Sequence, residues 1–141
     1  MKKSAIQIMP EYFEKYIRQV DDVELDDAFQ KNLSALSAID VAKLKSLDKK
    51  VYAEGKWTIK DILQHVIDTE RVLTYRTLRF ARRDGVIPQG YDQELFASNA
   101  NAEQRSLENI LEELSQLHQS TRLMFRSFSS RRLAILPLFP R

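Results

Sequence analysis

Lys56-Trp57-Thr58-Ile59-Lys60-Asp61-Ile62-Leu63-Gln64-His65-Val66-Ile67-Asp68-Thr69-Glu70 is the stretch on which the reading of this 141-residue chain turns. Thr58 stands immediately before an apolar-periodic run, and Asp61 follows three residues later. A hydroxyl and a carboxylate at that spacing satisfy two free amides at a helix start. Ile59, Ile62, Leu63, Val66, Leu73, Thr77 and Phe80 continue the pattern at helical pitch over about seven turns. Asp84-Gly85 predicts the end, with the glycine free to take the left-handed closing conformation.

Working outward, Ser106 predicts a second strong helix start. Leu107, Ile110, Leu111, Leu114, Leu117, Thr121, Met124, Phe125 and Phe128 follow at three- and four-residue steps. Between the two helices, residues 86–105 read as a long connection. Turn-forming Pro88-Gln89-Gly90-Tyr91-Asp92 opens it, and Glu94 to Ala97 could hold one helical turn. Upstream, Leu25, Phe29, Leu33 and Leu36 predict a helix to about Ala38, and Asp40 caps a further turn with Val41, Leu44 and Leu47. Pro10 suits a first helical position, predicting a short helix from Pro10 to about Val20.

Composition narrows the class. Three glycines and four prolines are too few for many strands joined by tight turns, which favours an all-α chain. With no cysteine, disulfides, thiolate metal sites and a cysteine nucleophile are excluded, which fits a cytoplasmic protein. A formal charge of +2 supplies no case for a nucleic-acid or membrane partner, and no segment approaches the roughly 20 apolar residues of a membrane span. We expect one helical domain over residues 1–141, with a flexible N-terminus over 1–9 and an atypical tail over 129–141. Pro137 and Pro140 stop any helix in that tail.

The Trp57-to-Glu70 block resembles the signature of the DinB-like superfamily, in which a Trp-Thr or Trp-Ser pair opens the second bundle helix and a histidine follows on it. Tyr75 to Arg82, Pro88 to Asp92 and Asn99-Ala100-Asn101 are similar to one bacterial branch of that family, and the likeness runs from about Met9 to Phe128. The resemblance implies a four-helix bundle, up-down-down-up, with a long crossover between the second and third helices; here the fourth is short or missing. It also implies a divalent metal, zinc or nickel, held by three histidines. The family's activities are metal-dependent hydrolysis and transfer to low-molecular-weight thiols, and homodimers are common in it. The first ligand corresponds to His65. The other two normally come from a His-x-x-x-His pair on the fourth helix, and this chain, whose only other histidine is His118, has no such pair.

Other residues carry weaker signals. His65 sits at the edge of its helix's apolar stripe, where a plain surface-edge histidine and a former metal ligand both fit. Glu70 and His118 each fall within the apolar stripe of their own helix. Burying either alone is costly, so a structural Glu70–His118 pair is expected, with an acid/base couple as the functional alternative. Arg76, Arg79, Arg82 and Arg83 form a basic face: either solvated helix surface near a C-terminus, or, at Arg76 and Arg79, an anion contact. Trp57 with Tyr52 reads as a packing anchor. Two function classes follow. One is a metal-dependent hydrolase or thiol S-transferase acting on a small molecule with an incomplete metal site. The other is a non-catalytic helical module that homodimerises through an apolar groove.

Overall fold

Capping chemistry and helical periodicity define the main elements of the computed structural model, which describes residues 1–47, 49–84, 86 and 88–128. Six α-helices are present among them: α1 (Glu14–Ile17), α2 (Leu25–Ser37), α3 (Val41–Leu47), α4 (Ile59–Arg82), α5 (Gln93–Asn99) and α6 (Leu107–Arg126). Two short 3₁₀ turns, Lys3–Ala5 and Ala102–Gln104, complete the regular structure, and no strand occurs among the described residues. The predicted tail over 129–141 and the fourth-helix position lie outside them. No described helix is long and apolar enough to cross a membrane.

The start of α4 is a full capping box. Thr58 Oγ1 accepts from the Asp61 amide at 3.3 Å, and the Asp61 carboxylate accepts from the Thr58 amide at 3.0 Å. At its end Arg83 takes the left-handed conformation with φ 58°, while Gly85, the expected closing residue, lies outside the described residues. A left-handed non-glycine residue costs roughly 1–2 kcal/mol. Here the Arg83 and Asp84 amides bond back to Phe80 and Arg79 at 3.0 and 3.4 Å, and the Asp84 carboxylate pairs with the Arg79 side chain, which offsets that strain. Ser106 caps α6 by accepting from the Asn109 amide at 3.1 Å.

The pairing of side chains fixes the helix directions. Gln64 meets Arg105, Arg71 meets Glu113 and Thr74 meets Thr121, so α4 and α6 run parallel. Asp26 meets Arg122, while Phe29 packs on both His118 and Phe125, so α2 runs antiparallel to them. Parallel neighbours need a long crossover. Residues between α4 and α6 supply it, and they are more ordered than the single turn predicted. Asp92 accepts from the Glu94 and Leu95 amides at 3.0 and 3.1 Å and opens a seven-residue helix, after which buried Ala102 anchors the 3₁₀ turn against α4.

Packing corrects the predicted buried face of α4. Ile67 and Ile110 are fully buried and, with Leu114, form the core, against which Leu36, Leu63 and Leu117 pack. Ile62, Val66 and Leu73 instead remain 38%, 41% and 39% exposed. The apolar stripe is broader than the contact with α6 alone can cover, so half of it faces away from that helix. The polar flank is locked by a chain of contacts. Arg105 donates to Gln64 at 2.6 Å, Gln64 donates to Asp68 at 3.0 Å, and Glu113 receives both Arg105 and Arg71 at 2.5 Å. Burial pushes the Glu113 carboxyl up, but the two guanidiniums outweigh it and hold the group below its ordinary range.

The first segment is also tighter than predicted. Only Glu14–Ile17 is α-helical; around it, bonds such as Phe13 to Pro10 and Gln19 to Tyr16 close three-residue rather than four-residue steps. Within residues 1–9, expected as a flexible end, the Met1 amino group bonds to Glu24 at 2.5 Å and the Ser4 amide to Asp22 at 2.9 Å.

Candidate functional site

The part of the α4 stripe not covered by α6 forms one wall of a groove of about 360 Å³, with α6 beside it and Phe29 of α2 opposite. Val66, Leu73, Phe29 and Phe125 make it apolar, and Thr69, Thr74, Thr77 and Thr121 add hydroxyls. His65, Glu70 and His118 all line it, so the three singled-out residues share one cavity although they come from two helices.

Glu70 and His118 stand in direct contact: His118 Nδ1 lies 3.2 and 3.1 Å from the two carboxylate oxygens. Their side chains are only 15% and 14% exposed. The contact is an ion pair when the imidazole carries both protons and a hydrogen bond when it is neutral. The Phe29 ring leans on the imidazole, centroids 4.9 Å apart and tilted 48°. The other ring nitrogen, Nε2, is buried and has no hydrogen-bond partner among the described residues.

His65 occupies a separate cluster. Its ring packs on Trp57 at 4.7 Å, and the Thr69 hydroxyl lies 3.4 and 3.5 Å from its two nitrogens. Tyr91 reaches across from the crossover to bond Thr69 at 2.5 Å, with its ring 4.7 Å from Phe96. Trp57 therefore touches the candidate ligand residue itself, whereas Tyr52, expected to anchor the helix entrance beside it, is 80% exposed. Tyr91 was hidden in a turn-forming string. Its one available signal was an aromatic residue directly before the Asp92 cap.

The donor set does not fit the three-histidine metal that the resemblance implies. Among the described residues, no group of three or more His, Cys, Asp or Glu side chains could hold a metal ion. His65 has hydroxyl and indole neighbours, and His118 is tied to Glu70. Residues 129–141 contain no His, Cys, Asp or Glu either.

The two arginines named as an anion contact stand apart from this cavity. Arg79 pairs with Asp84 and lies over the Tyr75 ring at 5.6 Å. Hydrogen bonding to Arg79 draws the Asp84 carboxyl below its ordinary range, and the same bond raises Arg79. Arg76 has its Nε buried, and neither residue lines the groove.

Comparison with known proteins agrees with the helical geometry. The family model described as the DinB superfamily matches residues 6–140. No curated protein and no solved structure matches the chain.

Proposed function

The chain belongs to the DinB superfamily, and on that premise we propose that it acts through the groove as a small-molecule cleft. The observation that carries this reading is the convergence of His65, Glu70 and His118 on one apolar cavity of about 360 Å³. That volume lies within the roughly 300–1,000 Å³ usual for small-ligand sites, which combine apolar walls with a few polar groups. The activity class proposed is the one the resemblance attaches to such a cleft: metal-dependent hydrolysis or transfer to a low-molecular-weight thiol. A catalytic zinc takes three protein donors, so His65 is a candidate ligand that needs others. A second copy of the chain, facing the groove, is the proposed source. The chain's own contributions are the orientation of His65 by Trp57 and Thr69, and a wall fixed by the Glu70–His118 contact. A cytoplasmic location is proposed from the cysteine-free composition.

The test is the zinc and nickel content of purified protein dialysed against each metal, with His65→Ala alongside. Stoichiometric metal lost on substitution supports the enzyme class. Metal-free protein under both conditions removes that class and leaves the cleft to be judged by ligand binding alone.

The exposed apolar residues Ile62, Val66 and Leu73 favour a second reading, a helical module that homodimerises through the same groove. Light scattering on a sizing column separates the two. A dimer converted to monomer by Leu73→Glu supports the module; a monomeric wild type sinks both the module and the shared metal site.

A further inference from the structure

Resting on the cleft reading, we infer that the groove takes a neutral, largely apolar small molecule that donates one hydrogen bond, through a hydroxyl, to Nε2 of His118. In the neutral imidazole the direction of that bond follows from Glu70. Its carboxylate lies 3.1 and 3.2 Å from Nδ1, so the neutral ring carries its proton on Nδ1 and presents Nε2 as an acceptor. Nε2 is buried and unpartnered among the described residues. A buried polar atom without a partner is costly, and a ligand hydroxyl satisfies it.

The charge of the ligand follows from what lines the cavity. Its ionisable groups are Glu70 and the two histidines, with no lysine or arginine among the lining residues. A carboxylate in an apolar wall repels an anionic head group and leaves it without a cation to replace its water. Arg79, an obvious candidate for an anion, is already paired with Asp84 outside the groove. Phe29, Leu73 and Phe125 then set the body of the ligand as apolar. Nε2 is buried, so the arrival of the hydroxyl requires a small shift of the groove wall, where the Phe29 ring packs on the imidazole at 4.9 Å.

Three matched probes test this on the full chain: cyclohexylmethanol, its methyl ether, and cyclohexanecarboxylate. Trp57, the single tryptophan, packs on the groove residue His65 and reports binding by fluorescence, while imidazole nitrogen NMR reports on His118. The alcohol is expected to bind about three- to tenfold more tightly than the ether, the range for one net hydrogen bond. The carboxylate is expected to bind weakest, and the His118 Nε2 resonance moves with the alcohol alone. His118→Phe, checked for folding by circular dichroism, makes alcohol and ether equal. Equal binding of alcohol and ether to the wild type, or tightest binding of the carboxylate, overturns the inference while the cleft stands. If no probe binds and no groove resonance shifts, the cleft reading itself fails, and the inference fails with it.

Discussion

Replacing Glu70 by leucine leaves the His118 imidazole in the groove wall with neither nitrogen paired among the described residues, since Nε2 has no partner among them and Nδ1 loses its own. A hydrogen bond to a charged group contributes about 1.5–3 kcal/mol net, and a buried group stripped of its partner costs a similar amount. With both side chains about six-sevenths buried, screening by water is limited, and Glu70→Leu is expected to destabilise by about 2–3 kcal/mol. His118→Phe strands a carboxylate against apolar walls and costs about as much. The double substitution replaces both polar groups by apolar ones and is expected to lie about 1–2 kcal/mol closer to wild type than either single. Urea unfolding of the four proteins at one pH measures the cycle, provided the dependence on urea stays constant across them. If the two single effects add to within about 0.5 kcal/mol, the residues are energetically independent. The 3.1 Å contact then has no structural role.

Ile67→Ala removes most of a fully buried side chain from the core it shares with Ile110 and Leu114; a loss of about 2–4 kcal/mol is expected from the same unfolding assay. Asp61→Ala breaks one half of the Thr58 capping box and is expected to cost about 1 kcal/mol, with Asp61→Asn recovering part of it. Acid titration has a defined sign. Asp26 is drawn below its ordinary range by its hydrogen bonds with Arg122, against the opposing effect of desolvation. It binds fewer protons folded than unfolded, so its stabilisation is complete above the unfolded value of about 3.9 and is lost as the pH falls through the folded one. Arg122→Gln is therefore expected to flatten the loss of stability below about pH 5; an unchanged slope by acid titration of circular dichroism refutes the assignment.

Much of this fold is legible where the signal is local. Thr58 and Ser106 mark helix starts because a cap is decided by residues within three positions of it. Glu70 and His118 were legible for a different reason: each interrupts an apolar stripe with a group that cannot be buried alone, so each predicts a partner. The misreadings are equally physical. The stripe on α4 identifies an amphipathic helix, yet which half of it packs on α6 depends on the neighbour, and Ile67 rather than Val66 faces the core. Gln64 is buried because Arg105, 41 residues away, bonds its amide, a fact that no local pattern contains. Arg83 closes α4 against its own conformational preference because Arg79 and Asp84 hold the turn. α5 exceeds the single turn expected at Glu94 to Ala97 because seven residues carry too little periodicity, although Asp92 is an ordinary cap.

The parallel course of α4 and α6 also orders the events by which the chain folds. Side-chain contacts between those helices join residues 42 to 48 positions apart, whereas the Asp26–Arg122 bridge that docks α2 spans 96. Doubling a loop costs about 0.6 kcal/mol in closure entropy. That difference favours zipping of α4, the crossover and α6 ahead of α2. The half-molecule so formed has the pair Ile67 and Ile110 at its centre. Mutations there should slow refolding, and mutations at Asp26 should chiefly speed unfolding, an order that φ-values read directly and that the reverse pattern excludes.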